Sequence, residues 1–325
     1  MATSMDVSWQ LDDITMKGTV VRPDGDGPFP AVVMVAGSGP TDRDWCSPIL
    51  PGTNGSARLF AEAFAAAGIA SLRYDKRASG PDVITNLPKL MGKMSMQSHL
   101  DELVAAVRTL AAQDFVDATR IAALGNSEGT LHVLHYATGT YEPALVGLVL
   151  AAPPGRPIQD VLLSQLALQS SQIPNGAELM TLVREAADRY AAGQPMDPDP
   201  ALPESVRMVL LGFDTPANLP FARELWTESA RDSLVKTQIP VLVLIGGHDV
   251  QIDVHADGGP LQEAAAAMPN VTFAFPPNAN HVFKEDTRTP AEVATSAGNG
   301  YNDPDTHLDP ESLQIILDWL GKTLA

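Results

Sequence analysis

A short apolar run that ends in Gly-x-Ser-x-Gly constrains this chain more than any other feature. The run, Arg120 to Leu124, is typical of a buried strand, and Gly125-Asn126-Ser127-Glu128-Gly129 follows it directly. A helical pattern then extends from Thr130 to Tyr136. Strand, tight turn and helix in this order predict a nucleophile elbow, in which the serine hydroxyl stands clear above a sheet. The alternative is an ordinary strand-to-helix turn, because the same five-residue pattern also arises by chance.

The two glycines of this motif suit such a turn. An elbow holds its serine at strained backbone angles, so its neighbours must be small, and Gly125 and Gly129 have no side chains. The backbone N–H of Glu128, at the start of the helix, is then expected to point at an oxygen that gains negative charge.

The composition indicates a globular protein with an acidic surface. Hydrophobic residues make up 45% and charged residues 18% of the 325 residues, which is ordinary for a large domain with an insertion. The net charge of −18 disfavours nucleic acid or an anionic membrane as partner, because both attract basic surfaces. No run approaches the apolar length of a membrane span. A single cysteine, Cys46, and an N-terminus without the regions of a signal peptide lead us to expect a cytoplasmic protein.

Strand-like runs recur on both sides of the elbow. Two alternating stretches, Val7–Leu11 and Ile14–Val21, predict an antiparallel hairpin. Later runs are continuously apolar, as expected for parallel strands covered on both faces. They lie at residues 31–36, 69–74, 120–124, 145–152, 239–247 and 271–275. Helical patterns separate them at 56–67, which Ser56 would cap, and at 96–113, 259–268 and 310–324, while 287–307 is predicted to be an irregular loop.

The stretch from residue 153 to residue 236 differs from the rest of the chain. Helices are predicted at 158–171, 176–192, 204–211 and 219–229, and no strand-like run interrupts them. Because the strand pattern resumes directly afterwards, we predict a helical cap, residues 153–236, inserted into one core domain formed by residues 1–152 and 237–325. A separate helical domain is the alternative.

Candidate site residues follow the predicted strands. Gly37-Ser38-Gly39-Pro40 satisfies neither common phosphate-loop pattern, so we favour the backbone N–H of Ser38 as a second oxyanion donor. Asp249 follows the carboxyl end of the strand at 239–247, and His281 follows the last strand. Serine, acid and histidine in this order are expected of a catalytic triad, in which the base activates the hydroxyl and the acid orients the base. Asp253 is the alternative acid and His248 the alternative base.

Two other groups of polar residues are less informative. Metal binding is disfavoured by the lack of recognised ligand spacing, both for the pair His132 and His135 and for a set near residue 250. That set comprises His248, Asp249, Asp253, His255 and Asp257. Arg73, Asp75 and Arg77 are equally consistent with an ion-pair cluster that braces the site and with solvated charges.

Five segments, in order, resemble those of α/β-hydrolases, in particular bacterial serine esterases of the dienelactone-hydrolase-like and S9-peptidase-like kinds. They are Val35-Ala36-Gly37-Ser38-Gly39-Pro40-Thr41-Asp42-Arg43-Asp44, Leu72-Arg73-Tyr74-Asp75-Lys76-Arg77, Gly125-Asn126-Ser127-Glu128-Gly129, Gly246-Gly247-His248-Asp249-Val250-Gln251 and Asn280-His281-Val282-Phe283-Lys284. The resemblance spans nearly the whole chain outside the predicted cap. It implies an α/β-hydrolase fold, with a mostly parallel sheet flanked by helices.

The same resemblance implies roles for individual residues. Ser127, Asp249 and His281 take the positions of nucleophile, acid and base, and the amides of Ser38 and Glu128 those of the oxyanion hole. Many relatives carry His-Gly where this chain has Ala36-Gly37, so the bracing of the oxyanion loop differs here.

These patterns together predict a cytoplasmic serine hydrolase that cleaves carboxylic esters through an acyl-enzyme. A small-molecule ester with a short- to medium-chain acyl group is the expected partner, and no cofactor, metal, nucleic acid or membrane is expected.

The sequence leaves the oligomeric state open. One alternative is a serine aminopeptidase or dipeptidyl hydrolase, in which Glu128 or Asp42 would hold a substrate ammonium; another is a non-catalytic binding protein on the same fold. The predicted cap contains several leucines that are equally consistent with an apolar acyl pocket and with packing within the cap. They are Leu162, Leu163, Leu166 and Leu168.

Overall fold

A single eight-stranded sheet organises the molecule in this computed structural model, which describes residues 2–171, 173–289, 292 and 300–325. The strands are β1 (Thr3–Leu11), β2 (Ile14–Arg22), β3 (Phe29–Val35), β4 (Ala70–Tyr74), β5 (Val116–Asn126), β6 (Gly147–Ala151), β7 (Val241–Leu244) and β8 (Val271–Ala274). Their order across the sheet is β1-β2-β4-β3-β5-β6-β7-β8. β1, β2 and β4 pair antiparallel, and all other neighbouring strands pair parallel. The predicted fold class is therefore confirmed.

Helices cover both faces of this sheet. They are α1 (Ser56–Ala66), α2 (Val83–Leu90), α3 (Met96–Ala111), α4 (Gly129–Thr138), α5 (Ile158–Ser170), α6 (Gly176–Ala191), α7 (Glu204–Asp214), α8 (Phe221–Leu225), α9 (Ala230–Leu234), α10 (Gly258–Ala264) and α11 (Pro310–Thr323). Alternate residues of each strand face opposite layers. Val33 packs in one core with α3 and α4, whereas Val32 packs in a second core with α1 and α11. Burial on both faces explains why these strands are continuously apolar.

The chain between β6 and β7 contains α5 to α9 and a short 3-10 helix, Pro216–Asn218, and its described residues form no strand. Part of it has a hydrophobic core of its own, built around Leu166, Met180, Tyr190 and Trp226. α9 differs, because Ala230 and Leu234 belong to the core beneath the main sheet.

Two local predictions were wrong, and one helix was not predicted. Ser56 does not cap α1: Gly55 occupies the N-cap position, and within the described part of the chain the buried Ser56 hydroxyl has no hydrogen-bond partner. The helix predicted at 219–229 is broken, since α8 ends at Leu225 and α9 begins at Ala230. α2 was not predicted, because it is short and contains Pro88. Part of the predicted 287–307 loop lies outside the described residues.

Candidate active site

Ser127 occupies a tight turn between β5 and α4. Its φ of 55° lies in the left-handed region, which a residue with a side chain rarely adopts. The turn is held by the Ser127 N–H, which donates to the Ala151 carbonyl at 2.8 Å. The Thr130 hydroxyl donates to the Ser127 carbonyl at 2.6 Å. These contacts fix a strained serine at the carboxyl end of a central strand.

The glycines on either side of Ser127 are required by close backbone approach. A Cβ at Gly125 would lie 2.4 Å from the Gly129 carbonyl oxygen, and a Cβ at Gly129 would lie 2.6 Å from the Val35 carbonyl oxygen. Side chains at these positions would therefore force the turn apart.

His281 and Asp249 form a hydrogen-bonded pair. The Nδ1 atom of His281 lies 2.8 Å from Oδ2 of Asp249, and the Asp249 side chain is fully buried. The other carboxylate oxygen of Asp249 accepts the backbone N–H groups of Gln251 and Ile252 at 2.8 and 2.9 Å. Because an ionised carboxylate only accepts hydrogen bonds, Nδ1 is assigned the proton and Nε2 is left as the basic nitrogen.

The alternative acid and base lie in other contacts. Asp253 accepts the backbone N–H groups of His255 and Ala256 at 2.9 and 2.6 Å, so its side chain stabilises a local turn. Nδ1 of His248 contacts the backbone carbonyl of Asp286. The structure therefore brings Asp249, and not Asp253, to His281.

Ser127 and His281 line the same cavity, which has a volume of about 800 Å³. A direct link joins the two loops, because the Asn126 side-chain amide donates to the backbone carbonyl of His281 at 3.1 Å. Most of the remaining lining is apolar and comes from α5, α7, α8 and the loops after β3 and β7. It includes Trp45, Leu162, Leu168, Phe213, Phe221 and Val282.

The loop after β3 borders the serine closely. A Cβ at Gly37 would lie 3.2 Å from Cβ of Ser127, so this glycine allows the loop to approach the elbow. Ser38 and Glu128 both line the cavity beside Ser127. The loop is held from within, as the Thr41 hydroxyl donates to the Ser38 carbonyl at 2.8 Å.

A second buried group of polar residues, which sequence reasoning missed, lies beside the elbow. We call Lys76, Glu128, His132, His99 and Glu102 the helix-side cluster. Oε1 of Glu128 lies 3.3 Å from both the Lys76 ammonium and Nε2 of His132. The rings of His132 and His99 are 4.9 Å apart, and Nδ1 of His99 lies 3.2 Å from the Glu102 carboxylate. Lys76, His99 and Glu128 also line the cavity. No sequence motif joins these residues, so only the fold reveals the cluster.

Burial and charge shift two pKa values in this cluster. Burial lowers the pKa of His132 to about 4, outweighing the opposing effect of Glu128, so this histidine is neutral at pH 7. Burial alone would raise the pKa of Glu128, but Lys76 and His132 together hold it well below the ordinary value. Glu128 is therefore an ionised, buried carboxylate with a cationic partner.

The remaining charged residues named from the sequence serve other contacts. Arg73 pairs with Asp44 at 2.5 Å, and Asp75 pairs with Arg43 at 2.6 Å. These ion pairs hold the loop after β3 to the end of β4. Arg77 contacts Asp12 and Glu102, at 3.0 and 3.2 Å. Among the described residues, no group of three or more histidine, cysteine or acidic side chains has the geometry to hold a metal ion.

Residues 32–295 match the alpha/beta hydrolase family, so the chain belongs to that family. Its sequence is also similar to that of Esterase EstD from Thermotoga maritima. The two are 26% identical over 321 residues, which cover 97% of this chain and 68% of that protein.

Solved structures show the same fold. The esterase Pf2001 from Pyrococcus furiosus has a TM-score of 0.56 at 17% identity, covering 99% of this chain and 94% of that one. A proline iminopeptidase from Mycobacterium smegmatis has a TM-score of 0.56 at 17% identity, covering 98% of this chain and 99% of that one. At these identities the likeness concerns the fold alone. Within the part of the chain that the structure describes, no helix is long and apolar enough to cross a membrane.

Proposed function

We propose that the protein is a carboxylic-ester hydrolase that works through an acyl-enzyme on Ser127. One observation carries the proposal: a serine at a strained strand-to-helix turn shares a cavity with a histidine that is hydrogen-bonded to a buried carboxylate. The similarity to Esterase EstD supports an ester as the substrate.

In the proposed reaction, Oγ of Ser127 attacks the acyl carbonyl carbon and its proton passes to Nε2 of His281. The carbonyl oxygen gains a negative charge, which the backbone N–H groups of Ser38 and Glu128 stabilise. Collapse of this intermediate breaks the ester bond, and the leaving alkoxide takes the proton from His281. Water then loses a proton to His281 as its oxygen attacks the acyl carbonyl carbon. Collapse of this second intermediate breaks the bond between the acyl group and Oγ of Ser127, which takes the proton back from His281, and the acid is released. Asp249 orients His281 and stabilises its protonated form throughout.

The cavity supports an apolar acyl group of short to medium length. Its volume of about 800 Å³ and lining side chains such as Leu162 and Phe213 favour hydrocarbon over charged substituents. Because α5, α7 and α8 supply much of this lining, we propose that residues 153–236 act as a cap that selects substrate. Arg156, near the start of that segment, is anchored to the buried Asp257 carboxylate at 2.9 Å.

A peptidase that holds a substrate ammonium finds less support. Glu128 is the only carboxylate among the described residues that line the cavity, and it already contacts Lys76 and His132. Asp42, the other candidate, accepts the backbone N–H groups of Asp44 and Cys46 at 2.9 Å each. Asp42 is not among the described residues that line the cavity, and the charge of Glu128 is already paired with the Lys76 ammonium. The described lining therefore offers a substrate amine no carboxylate without a cationic partner.

The test is labelling with a fluorophosphonate, followed by a panel of esters and peptide amides. We expect mass spectrometry to locate the label on Ser127, and the esters to be hydrolysed faster than the amides. Ser127→Ala should remove labelling and reduce kcat/KM by about 10³-fold or more while leaving the fold intact, because alanine is smaller than serine. Wild-type turnover in this variant would refute the serine mechanism. Faster cleavage of peptide amides would favour the peptidase.

Partners and location remain predictions. Cell fractionation would test the cytoplasmic location, and the acidic charge of −18 continues to disfavour nucleic acid and anionic membranes as partners.

A further inference from the structure

Lys76 makes a contact that the proposed reaction does not yet use. Its ammonium donates a hydrogen bond to the backbone carbonyl of Gly37 at 2.5 Å, and its side chain is only 4% exposed. The Gly37 carbonyl and the Ser38 N–H belong to one peptide group. Because a peptide group is planar, holding its carbonyl oxygen also sets the direction of its N–H. Lys76 therefore acts on the donor that the proposed mechanism places in the oxyanion hole.

The same ammonium also reaches the residue that supplies the second donor. Oε1 of Glu128 lies 3.3 Å from the Lys76 ammonium, and the backbone N–H of Glu128 is the other proposed oxyanion donor. His132 supports the Glu128 carboxylate from α4 at 3.3 Å. One buried cation thus joins the loop after β3 to the start of α4, the two segments from which the donors come.

The chemistry of this contact favours a role in catalysis. A cation on a carbonyl oxygen draws electron density from the peptide group, so the N–H on the other side becomes a stronger hydrogen-bond donor. Rigid donors also stabilise a developing oxyanion without reorganising during the reaction. Ala36, which precedes the loop, has a methyl side chain and cannot hydrogen-bond, so its side chain contributes no such brace.

We propose that Lys76 is a positioning residue of the oxyanion hole, with the Glu128 carboxylate as its counterion. This inference rests on the proposed serine mechanism. It makes Lys76 act through the Gly37–Ser38 peptide group, without direct contact to the substrate.

The first variant is Lys76→Met, which keeps most of the apolar stem and removes the ammonium. We expect kcat on a small ester to fall on the order of 10- to 100-fold, less than the loss from removing a donor outright, with KM within about threefold. The affinity for a trifluoromethyl ketone should fall in proportion to kcat/KM, because its adduct with Ser127 carries an oxyanion.

Two further variants make the test specific. Lys76→Met combined with Glu128→Gln removes both charges, so it avoids an unpaired buried carboxylate that would destabilise the fold. It should retain the loss in kcat and in ketone affinity.

Lys89→Met is the matched control. The Lys89 ammonium also donates to a backbone carbonyl, that of Asp13 at 2.7 Å, but Lys89 is not among the described residues that line the cavity. It should behave as wild type.

Several outcomes would overturn the inference. A raised KM with unchanged kcat would mean that Lys76 binds substrate directly. Wild-type activity in the double variant would mean that Lys76 only neutralises Glu128. Unchanged ketone affinity despite a lower kcat would place the effect outside the oxyanion hole. Failure of the serine mechanism itself is distinguishable, because it would appear as wild-type turnover in Ser127→Ala.

Discussion

His281 and His132 are both buried histidines within reach of a carboxylate, but their second ring nitrogens have different surroundings. His281 lies on the loop after β8 and lines the cavity, with Nδ1 on Asp249. His132 lies on α4, its Nε2 faces Glu128, and its buried Nδ1 has no hydrogen-bond partner among the residues that the structure describes. A histidine beside a carboxylate is thus not by itself a catalytic base. His281 lines the cavity that contains Ser127 whereas His132 does not, and this is why we propose His281, and not His132, as the base.

Replacing each histidine in turn tests whether His281, and not His132, acts as the base. We expect His281→Ala to lower kcat/KM by about 10³-fold or more, because the variant lacks the proposed acceptor of the Ser127 proton. His132→Gln keeps a donor for Glu128 and should lower kcat/KM by less than about tenfold. Steady-state kinetics on one ester at matched circular dichroism would check both. The opposite ranking would transfer the role of base to the helix-side cluster.

The two aspartates near β7 provide the next largest contrast. Asp249→Asn should reduce kcat by about 10²- to 10⁴-fold, since an amide cannot hold the imidazole in the same tautomer or stabilise its protonated form. Asp253→Asn should change kcat by only a fewfold, because Asp253 accepts local backbone N–H groups and an asparagine oxygen can replace it. Kinetics of both variants on the same ester would decide the assignment. Equal losses would remove the distinction that the geometry draws between them.

Sequence patterns predicted the sheet and the turn well because both follow from local rules. Continuous apolar runs indicate doubly covered strands, and Gly125 and Gly129 reflect a steric requirement of the elbow. The helix-side cluster could not be predicted in this way. Lys76 and Glu128 are far apart in the chain, and only the parallel pairing of β4, β3 and β5 brings the strand ends that precede them to the same edge of the sheet.

The direction in which individual side chains point could not be predicted from the sequence either. Leu162 and Leu166 lie on the same helix and are both leucines, yet Leu162 lines the cavity whereas Leu166 is 4% exposed and packs in the core built around Trp226. The sequence therefore left open whether these leucines line an acyl pocket or pack among the helices, and the structure places Leu162 at the cavity and Leu166 inside the helical core.

This pair extends the comparison from histidines to apolar side chains. Leu166→Ala should lower the free energy of unfolding by about 2–4 kcal/mol through a buried cavity, with kinetics near wild type at low temperature. Leu162→Ala should instead change KM and acyl-length preference by a fewfold, with a smaller loss of stability. Urea unfolding and an ester chain-length series would separate these effects. Selectivity that changes equally in both variants would argue against the cap assignment.

The smallest expected effect is the pH dependence of stability that arises from the buried His132. Burial lowers the pKa of His132 from 6.5 to about 4 in the folded protein, whereas the unfolded chain titrates near the ordinary value. Between these values the unfolded state binds more protons, so stability falls as the pH is lowered, by at most about 1.4 kcal/mol per pH unit. This contribution is fully present above pH 6.5 and is lost towards pH 4.

Urea unfolding of wild type and His132→Gln between pH 5 and 7.5 would measure it, above the range in which most carboxylates titrate. The variant should show the shallower slope, and His255→Gln, at an exposed position, should keep the slope of the wild type. If the free energy of unfolding had the same slope against pH in all three proteins, His132 would be protonated as readily in the folded state as in the unfolded chain. Its burial would then not separate it from solvent, and the contrast with His281 would fail.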